Sequence, residues 1–339
     1  MKLNRLLSTA ASIACLSATF ATQAQTQTLT ASAWLPPTHA LTVTMMDWAK
    51  QVEKETAGRI KVNLLPKGVT SPPGTYDAIR DGLADISYTV QGYTPGRFPL
   101  AEIAELPFMG DSAVQTSIAF NRIATRYPQI AGEYKDVKVL AFFTHGPGHI
   151  FNTKRAITSL ADMQGLKFRV GGGMVNELGK AIGANVMLKP AGESYELLSS
   201  GVVDGVMFPA ESIRSFKLDT FIKHKTSTAG GFYNTAFIFM MNPKAWAKIS
   251  PADQAVISKL SGENYARMMG LAWDRVDREG NAILQAKGAT FTQASPAFVK
   301  EIQGKTAALE KRWIDAAKAK GIAAPEKVLT ELRAEIAKN

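Results

Sequence analysis

The chain has 339 residues, with 39 Lys and Arg against 29 Asp and Glu, a formal charge of +10 and one cysteine. Its basic residues are scattered rather than clustered with aromatic platforms, which argues against a nucleic-acid surface and leaves a mild bias toward anionic ligands. Beyond the first residues no long uninterrupted apolar run occurs, so the mature chain is not expected to span a membrane.

The amino terminus reads as a leader. Lys2 and Arg5 precede a mostly apolar or small stretch from Leu6 to Phe20, and Ala21-Thr22-Gln23-Ala24 offers a cleavage site after Ala24, giving a signal peptide over 1–24. Cys15 raises lipid modification as the second alternative, ranked lower because Ser12 stands where a large aliphatic residue is wanted. Cleavage removes Lys2, Arg5 and Cys15, so the mature chain carries +8 and no cysteine. Its roughly 300 residues bury enough surface to need no disulfide, and that size fits two lobes better than one.

Residues 28–34 alternate as a strand, Leu35-Pro36-Pro37-Thr38-His39 breaks it, and Val43, Met46, Ala49 and Val52 then recur at helical spacing from Leu41 to Glu55. A loop between strand and helix belongs at a cleft rim, which makes Trp34 and His39 candidate ligand contacts; a helix-start or packing role for His39 weighs at least as much. Ile60, Val62 and Leu64 mark a second strand. A short helix through Tyr76 and Ile79 ends at Gly82, and Leu83–Thr89 is the next strand, with Tyr88 as a ligand candidate at its end. Tyr93, Phe98 and Phe108 follow in a Gly- and Pro-rich connection; with Tyr88 they either line a pocket or anchor the connection, and packing is the safer role for the two phenylalanines.

A helix is expected from Asp111 to Tyr127 and a strand over Val137–Phe143. The loop THGPGHIFNTKRAI brings His145 and His149, one of which is expected to hydrogen-bond an acidic ligand. A metal site needs more ligands than this pair and there is no HExxH, so no metal or other cofactor is expected.

Leu166, Phe168 and Val170 alternate with Lys167 and Arg169 in a strand. Gly171–Gly173 follow, then Val175, Leu178 and Ile182 at helical spacing. Arg169 therefore stands near the carboxyl end of a strand in an open α/β sheet, where ligands gather. Alone, a surface guanidinium paired with an acid is the blander account; the glycine run favours a fixed fork for a planar carboxylate. The run lacks the later lysine and serine of a phosphate loop. Val202 to Phe208 returns to strand composition, and DAIRDGLADISYT faintly echoes ELLSSGVVDGVMF. Asp85 and Asp204, at matching places in that echo, are expected to be local anchors.

His224 and its neighbouring lysines read as surface. Phe232 and Asn234 sit just before the apolar strand Ala236–Met241 and are candidates for the ligand. Ser250-Pro251-Ala252-Asp253 is a strong helix start, and an apolar stripe from Val256 to Leu284 predicts one helix of about nine turns, with a kink at Gly262 or Gly270. A last helical region begins at Pro296.

YDAIRDGLADIS, GRFPLAEIAELPF, KRAITSLADMQGLKFRV, GANVMLKPAGESYELLSSGVVDG and NPKAWAKIS together resemble the extracytoplasmic solute receptors of TRAP transporters, often named for C4-dicarboxylate binding, over essentially the whole mature chain. The resemblance implies an α/β, two-lobed periplasmic solute-binding protein with a cleft between lobes and a long bridging helix. It implies lobe I over 25–148 with a returning strand over 236–250, and lobe II over 149–235. The bridging helix then covers 251–288, and a C-terminal helical region over 289–339 packs across both lobes. A monomer that hands an organic acid to a sodium-driven membrane permease, with no catalysis, follows from the same resemblance, and Arg169 takes the place of the family's carboxylate-binding arginine. Two departures bear on the ligand: Gly148 or His149 stands where many relatives have a second arginine, and Met207-Phe208 where many have asparagine. Both favour a monocarboxylate with a hydrophobic or aromatic body over a C4-dicarboxylate or sugar acid, with a 2-keto or 2-hydroxy group read by His149, Tyr88 or Asn234. A periplasmic enzyme acting on an organic acid is the different-class alternative, weakened by the lack of a GxSxG elbow or metal cluster; a ligand-sensing protein without a transport role is another.

Overall fold

The computed structural model describes residues 26–338, so the expected leader over 1–24 lies outside the described residues. The first sheet is built from β1 (Gln27–Ala31), β2 (Ile60–Leu64), β3 (Ile86–Val90), β4 (Lys138–Thr144) and a strand from much later in the chain. Helices α1 (Ala40–Glu55), α2 (Thr75–Asp81), α3 (Ala113–Arg126) and α4 (Pro128–Gly132) connect these four. The second sheet holds β5 (His149–Asn152), β6 (Lys167–Val170), β7 (Asn185–Leu188), β8 (Gly205–Phe208) and β9 (His224–Ser227), interleaved with α5 (Met174–Ala181), α6 (Ser194–Ser199) and α7 (Glu211–Ser215). The chain then returns to the first sheet as β10 (Ala236–Met241). It continues through α8 (Pro243–Ala247), α9 (Pro251–Leu260), α10 (Glu263–Ala286), β11 (Thr290–Gln293), α11 (Pro296–Ala319) and α12 (Pro325–Lys338).

Strand order is β2-β1-β3-β10-β4 in the first sheet and β11-β9-β5-β8-β6-β7 in the second. The chain crosses between the lobes at 145–148 and 228–235, and again through α10 to reach β11. The first two crossings pair with each other: Gly148 N donates to Tyr233 O at 2.8 Å, and Phe232 N donates to Gly148 O at 2.9 Å. Asp85 and Asp204 are the local anchors their matching sequences imply. Asp85 accepts from the backbone N–H of Thr30 at 2.7 Å, and Asp204 from that of Lys167 at 3.0 Å, each tying a neighbouring strand.

Three expectations change. The nine-turn helix is two helices, because Ser261 leaves the helical backbone and Gly262 has φ +58°. The second of them, α10, is the strut. Its Gly270 meets the backbone of Ala113 and Val114, and its Gly280 that of Ala210 and Glu211. Between them, Asp274 accepts from Ala113 N at 2.6 Å and Asp277 from Glu211 N at 2.7 Å. One helix is thus pinned to the first turn of α3 and to the first turn of α7, and Gly270 is a contact point rather than a kink. The region after 288 also contributes β11, paired in parallel with β9 in the second sheet. Finally, the segment read as surface around His224 is β9, where Lys225 is buried and its Nζ donates to Asn281 at 2.7 Å. Among the described residues no helix is long and apolar enough to cross a membrane.

Candidate functional site

Between the two sheets lies a small cavity walled by Trp34, His39, Tyr93, His145, Arg169, Phe208 and several further residues. Arg169 reaches it from the third position of β6 and is 1 % exposed. Its Nε and Nη2 donate to Lys189 O at 2.9 and 2.6 Å, and its guanidinium carbon lies 4.3 Å from the Phe208 ring centroid. Burial pushes the Arg169 pKa down from its ordinary value, and the nearby Tyr93 and Tyr233 oxygens offset part of that. Arginine remains protonated under such a shift. Among the described residues no carboxylate lies within 4.0 Å of this guanidinium; Glu193, whose charge acts on it, pairs with Lys189 at 3.2 Å instead. A desolvated cation without a carboxylate is expensive unless a ligand supplies one.

Rings form much of the remaining wall. Phe208 stacks on Phe216 with centroids 5.8 Å apart, Phe216 lies 5.9 Å from the His39 ring, and His39 meets Trp273 at 6.1 Å. Trp34 packs edge-on to Tyr93 at 5.7 Å and donates its indole N–H to Tyr88 O at 3.2 Å. His39 is both the N-cap of α1 and part of the wall: Nδ1 accepts from Leu41 N at 3.2 Å and Nε2 lies 3.0 Å from Glu211 Oε1. An Nδ1 that accepts has no proton, so the Nε2–H donates to Glu211. His145 hydrogen-bonds Gly146 O through Nδ1, and burial holds its pKa at about 4, a neutral ring at pH 7.

Four of the eight predicted residues therefore meet at the cavity: Trp34, His39, Arg169 and Phe208. The other four do not line it, each for a visible reason. Tyr88 is fully buried inside lobe I, its hydroxyl 2.9 Å from Thr42 Oγ1 beneath α1. His149 opens β5 opposite Phe208, packs edge-on to Phe151 and is held neutral by burial, far below its ordinary pKa. Phe232 belongs to the hydrophobic core. Asn234 fastens the crossing segments, its amide donating to Gly146 O at 3.0 Å. Tyr93, named with Tyr88 as a possible pocket residue, also lines the cavity, as do His145, Glu211, Tyr233 and Trp273. For His145 a signal existed, since one of the two histidines was expected to face ligand; Glu211 gave none.

The glycine run has a structural cause. Gly172 and Gly173, both at positive φ, meet Gly92 from the end of β3 across the cleft, and a side chain on Gly173 would strike the Glu105 carboxylate. Glu105 accepts from Met174 N and from Ala236 N, both at 2.9 Å, while Tyr93 Oη accepts from Ala191 N at 3.1 Å. With the His39–Glu211 bond, these contacts join the lobes around the cavity. A side chain on Gly148 would run into the Tyr233 ring, so only glycine fits beside it. Among the described residues there is no group of three or more acidic, histidine or cysteine side chains placed to hold a metal ion.

The family model for bacterial extracellular solute-binding protein, family 7 (DctP), matches residues 31–316. The chain is 31 % identical over 341 residues, the full length of both, to a Comamonas testosteroni protein named outer membrane transporter protein TsaT. It is similar to a solved TRAP periplasmic solute-binding protein from Bordetella bronchiseptica with bound (R)- and (S)-mandelate, at 44 % identity and TM-score 0.89 over 92 % of this chain and 99 % of that one. A marine metagenome TRAP solute-binding protein specific for aromatic acid ligands, in complex with 3-hydroxybenzoate, is 33 % identical at TM-score 0.86 over 93 % of this chain and 99 % of that one.

Proposed function

Since the chain belongs to the bacterial extracellular solute-binding proteins of family 7, a family of receptors rather than enzymes, we propose that it captures an aromatic monocarboxylate in the periplasm and delivers it to a TRAP membrane permease. The observation that carries this reading is Arg169: a buried guanidinium with no carboxylate partner, stacked over Phe208 in a ring-lined cavity between two lobes. A planar acid gains two parallel charge-assisted bonds at such a fork, and its ring leaves water against aromatic walls. Mandelate and 3-hydroxybenzoate, held by the two structural relatives, have this chemistry.

The test is a thermal-shift and calorimetric comparison after co-purified ligand has been stripped by unfolding and refolding. Benzoate, both mandelates and 3-hydroxybenzoate are set against succinate and glucuronate. An aromatic acid present at 100 times its Kd should stabilise the fold by about 2.7 kcal/mol, while succinate at the same concentration leaves it unchanged. Preferential binding of succinate would overturn the proposal. Loss of uptake of the bound acid on removing either the receptor or the permease tests delivery.

A further inference from the structure

Resting on that reading, we propose that Glu211 selects by charge: its buried carboxylate turns away ligands with a second anionic group and leaves room for a hydroxyl donor. Glu211 is the first residue of α7, forms part of the cavity wall and is 1 % exposed. Its hydrogen-bond partners are the His39 Nε2–H at 3.0 Å, the Ser212 hydroxyl at 3.1 Å and the Ser215 hydroxyl. None of them brings a cation. The His39 ring is neutral because its other nitrogen accepts the Leu41 backbone N–H at 3.2 Å. Three donors, the His39 Nε2–H and the Ser212 and Ser215 hydroxyls, converge on its two oxygens, and hydrogen bonds given to a carboxylate favour its charged form. The carboxylate is ionised at neutral pH.

The wall of this cavity thus presents one lysine-or-arginine charge, on Arg169, and one carboxylate, on Glu211. A run of rings joins them: Arg169 over Phe208 at 4.3 Å, Phe208 to Phe216 at 5.8 Å, Phe216 to His39 at 5.9 Å, and His39 to Glu211. An aromatic acid seated with its carboxylate on Arg169 lays its ring along that run and points its far substituents at Glu211. A second carboxylate there meets a like charge in a poorly screened site. A hydroxyl fares differently. An ionised carboxylate offers about four lone-pair sites, three are used by His39, Ser212 and Ser215, and the remaining one accepts an O–H.

Calorimetric affinities for benzoate, 3-hydroxybenzoate, isophthalate and monomethyl isophthalate, in the wild type and in Glu211→Gln, test the idea. Glutamine keeps an oxygen for His39 and removes the charge. In the wild type we expect isophthalate to bind roughly a hundredfold more weakly than its monomethyl ester, and 3-hydroxybenzoate to bind at least as tightly as benzoate. Glu211→Gln should shrink the diacid penalty about tenfold or more. The ester comparison needs no mutant and separates charge from size. A diacid that binds the wild type as well as the ester, an ester as weak as the diacid, or a penalty unchanged in a folded Glu211→Gln protein overturns the inference while leaving benzoate binding intact. Failure of benzoate itself to bind would instead remove the aromatic-acid reading, and this one with it.

Discussion

Replacing Gly92 with alanine should impair ligand binding by obstructing closure while sparing the empty fold. Gly92 sits just after β3, and a Cβ built on it lies 2.8 Å from both C and O of Gly172 and 2.9 Å from Gly173 N. These are backbone atoms of the other lobe, which cannot swing aside as a side-chain tip would. Gly92 is not among the glycines at positive φ, so alanine fits its own backbone and the cost falls on the approach of the lobes. Forcing one methyl into such a contact costs about 1–3 kcal/mol, or a loss of roughly five- to 150-fold in affinity. Calorimetry with the best aromatic acid measures that loss. X-ray scattering of the saturated variant should give a larger radius than saturated wild type, and its ligand-free unfolding midpoint should match wild type. Gly132→Ala is the control, since a Cβ there meets nothing within 4 Å. Wild-type affinity and wild-type compaction in Gly92→Ala would refute the claim that this glycine contact limits closure.

Arg169→Ala should weaken the best carboxylate by about 2–5 kcal/mol, the cost of truncating one partner of a desolvated charge pair; Arg169→Lys should lose less but still lose, and unchanged affinity in either folded variant removes the anchor. Phe208→Asn takes away the ring beneath the guanidinium, so benzoate should lose affinity relative to a small polar acid such as lactate in paired titrations; equal losses would indicate damage to lobe II alone. For pH, burial and neighbouring Glu102 push the Glu105 carboxyl up to about 8, against the N–H donors of Met174 and Ala236 that lower it. Its folded pKa lies above the ordinary carboxyl value, so its contribution to stability is complete below about 4.5 and is lost as pH rises toward 8. The ligand-free Glu105→Gln protein should therefore gain in unfolding free energy relative to wild type on going from pH 5 to pH 8, by an amount of the order of a few kcal/mol, and parallel pH curves for the two proteins would contradict this. His145, held at about 4 by burial, acts in the opposite sense, losing its contribution as pH falls from about 6.5 toward 4. It is common to both proteins and cancels in the difference.

Arg169 and Phe208 were legible because each lies near the end of a strand whose alternation or apolar run is plain in the chain, and strand ends face the cleft in this architecture. Tyr88 shows the limit of that argument. It was read as the end of its strand, but β3 continues to Val90 and its side chain turns under α1 to Thr42. His145 and His149 look alike in the chain, but β5 begins at His149 and runs to Asn152, turning His149 into the packing of lobe II. Glu211 was beyond reach for a different reason. Its meaning comes from His39, far away in the chain and in the other lobe, and pairing across a cleft leaves no local pattern. The break between α9 and α10 was half visible, as a glycine named for a kink that proved to be a full stop.

Gly148 and Phe208 shape the cavity together. Leaving Gly148 bare frees room that the Tyr233 ring fills, and putting phenylalanine at 208 places a second ring directly under Arg169. Both rings flank the guanidinium-bearing wall of the cavity, which suits the single carboxylate with an aromatic body proposed above. Burial then makes the one guanidinium matter more, because a charge in a poorly screened site gains more from its partner than the same charge in water. The same burial makes a misplaced charge costly, which is why a single ionised glutamate at the far end of the rings is enough to discriminate. Selectivity in this cavity comes as much from which polar groups are missing as from the arginine that is present.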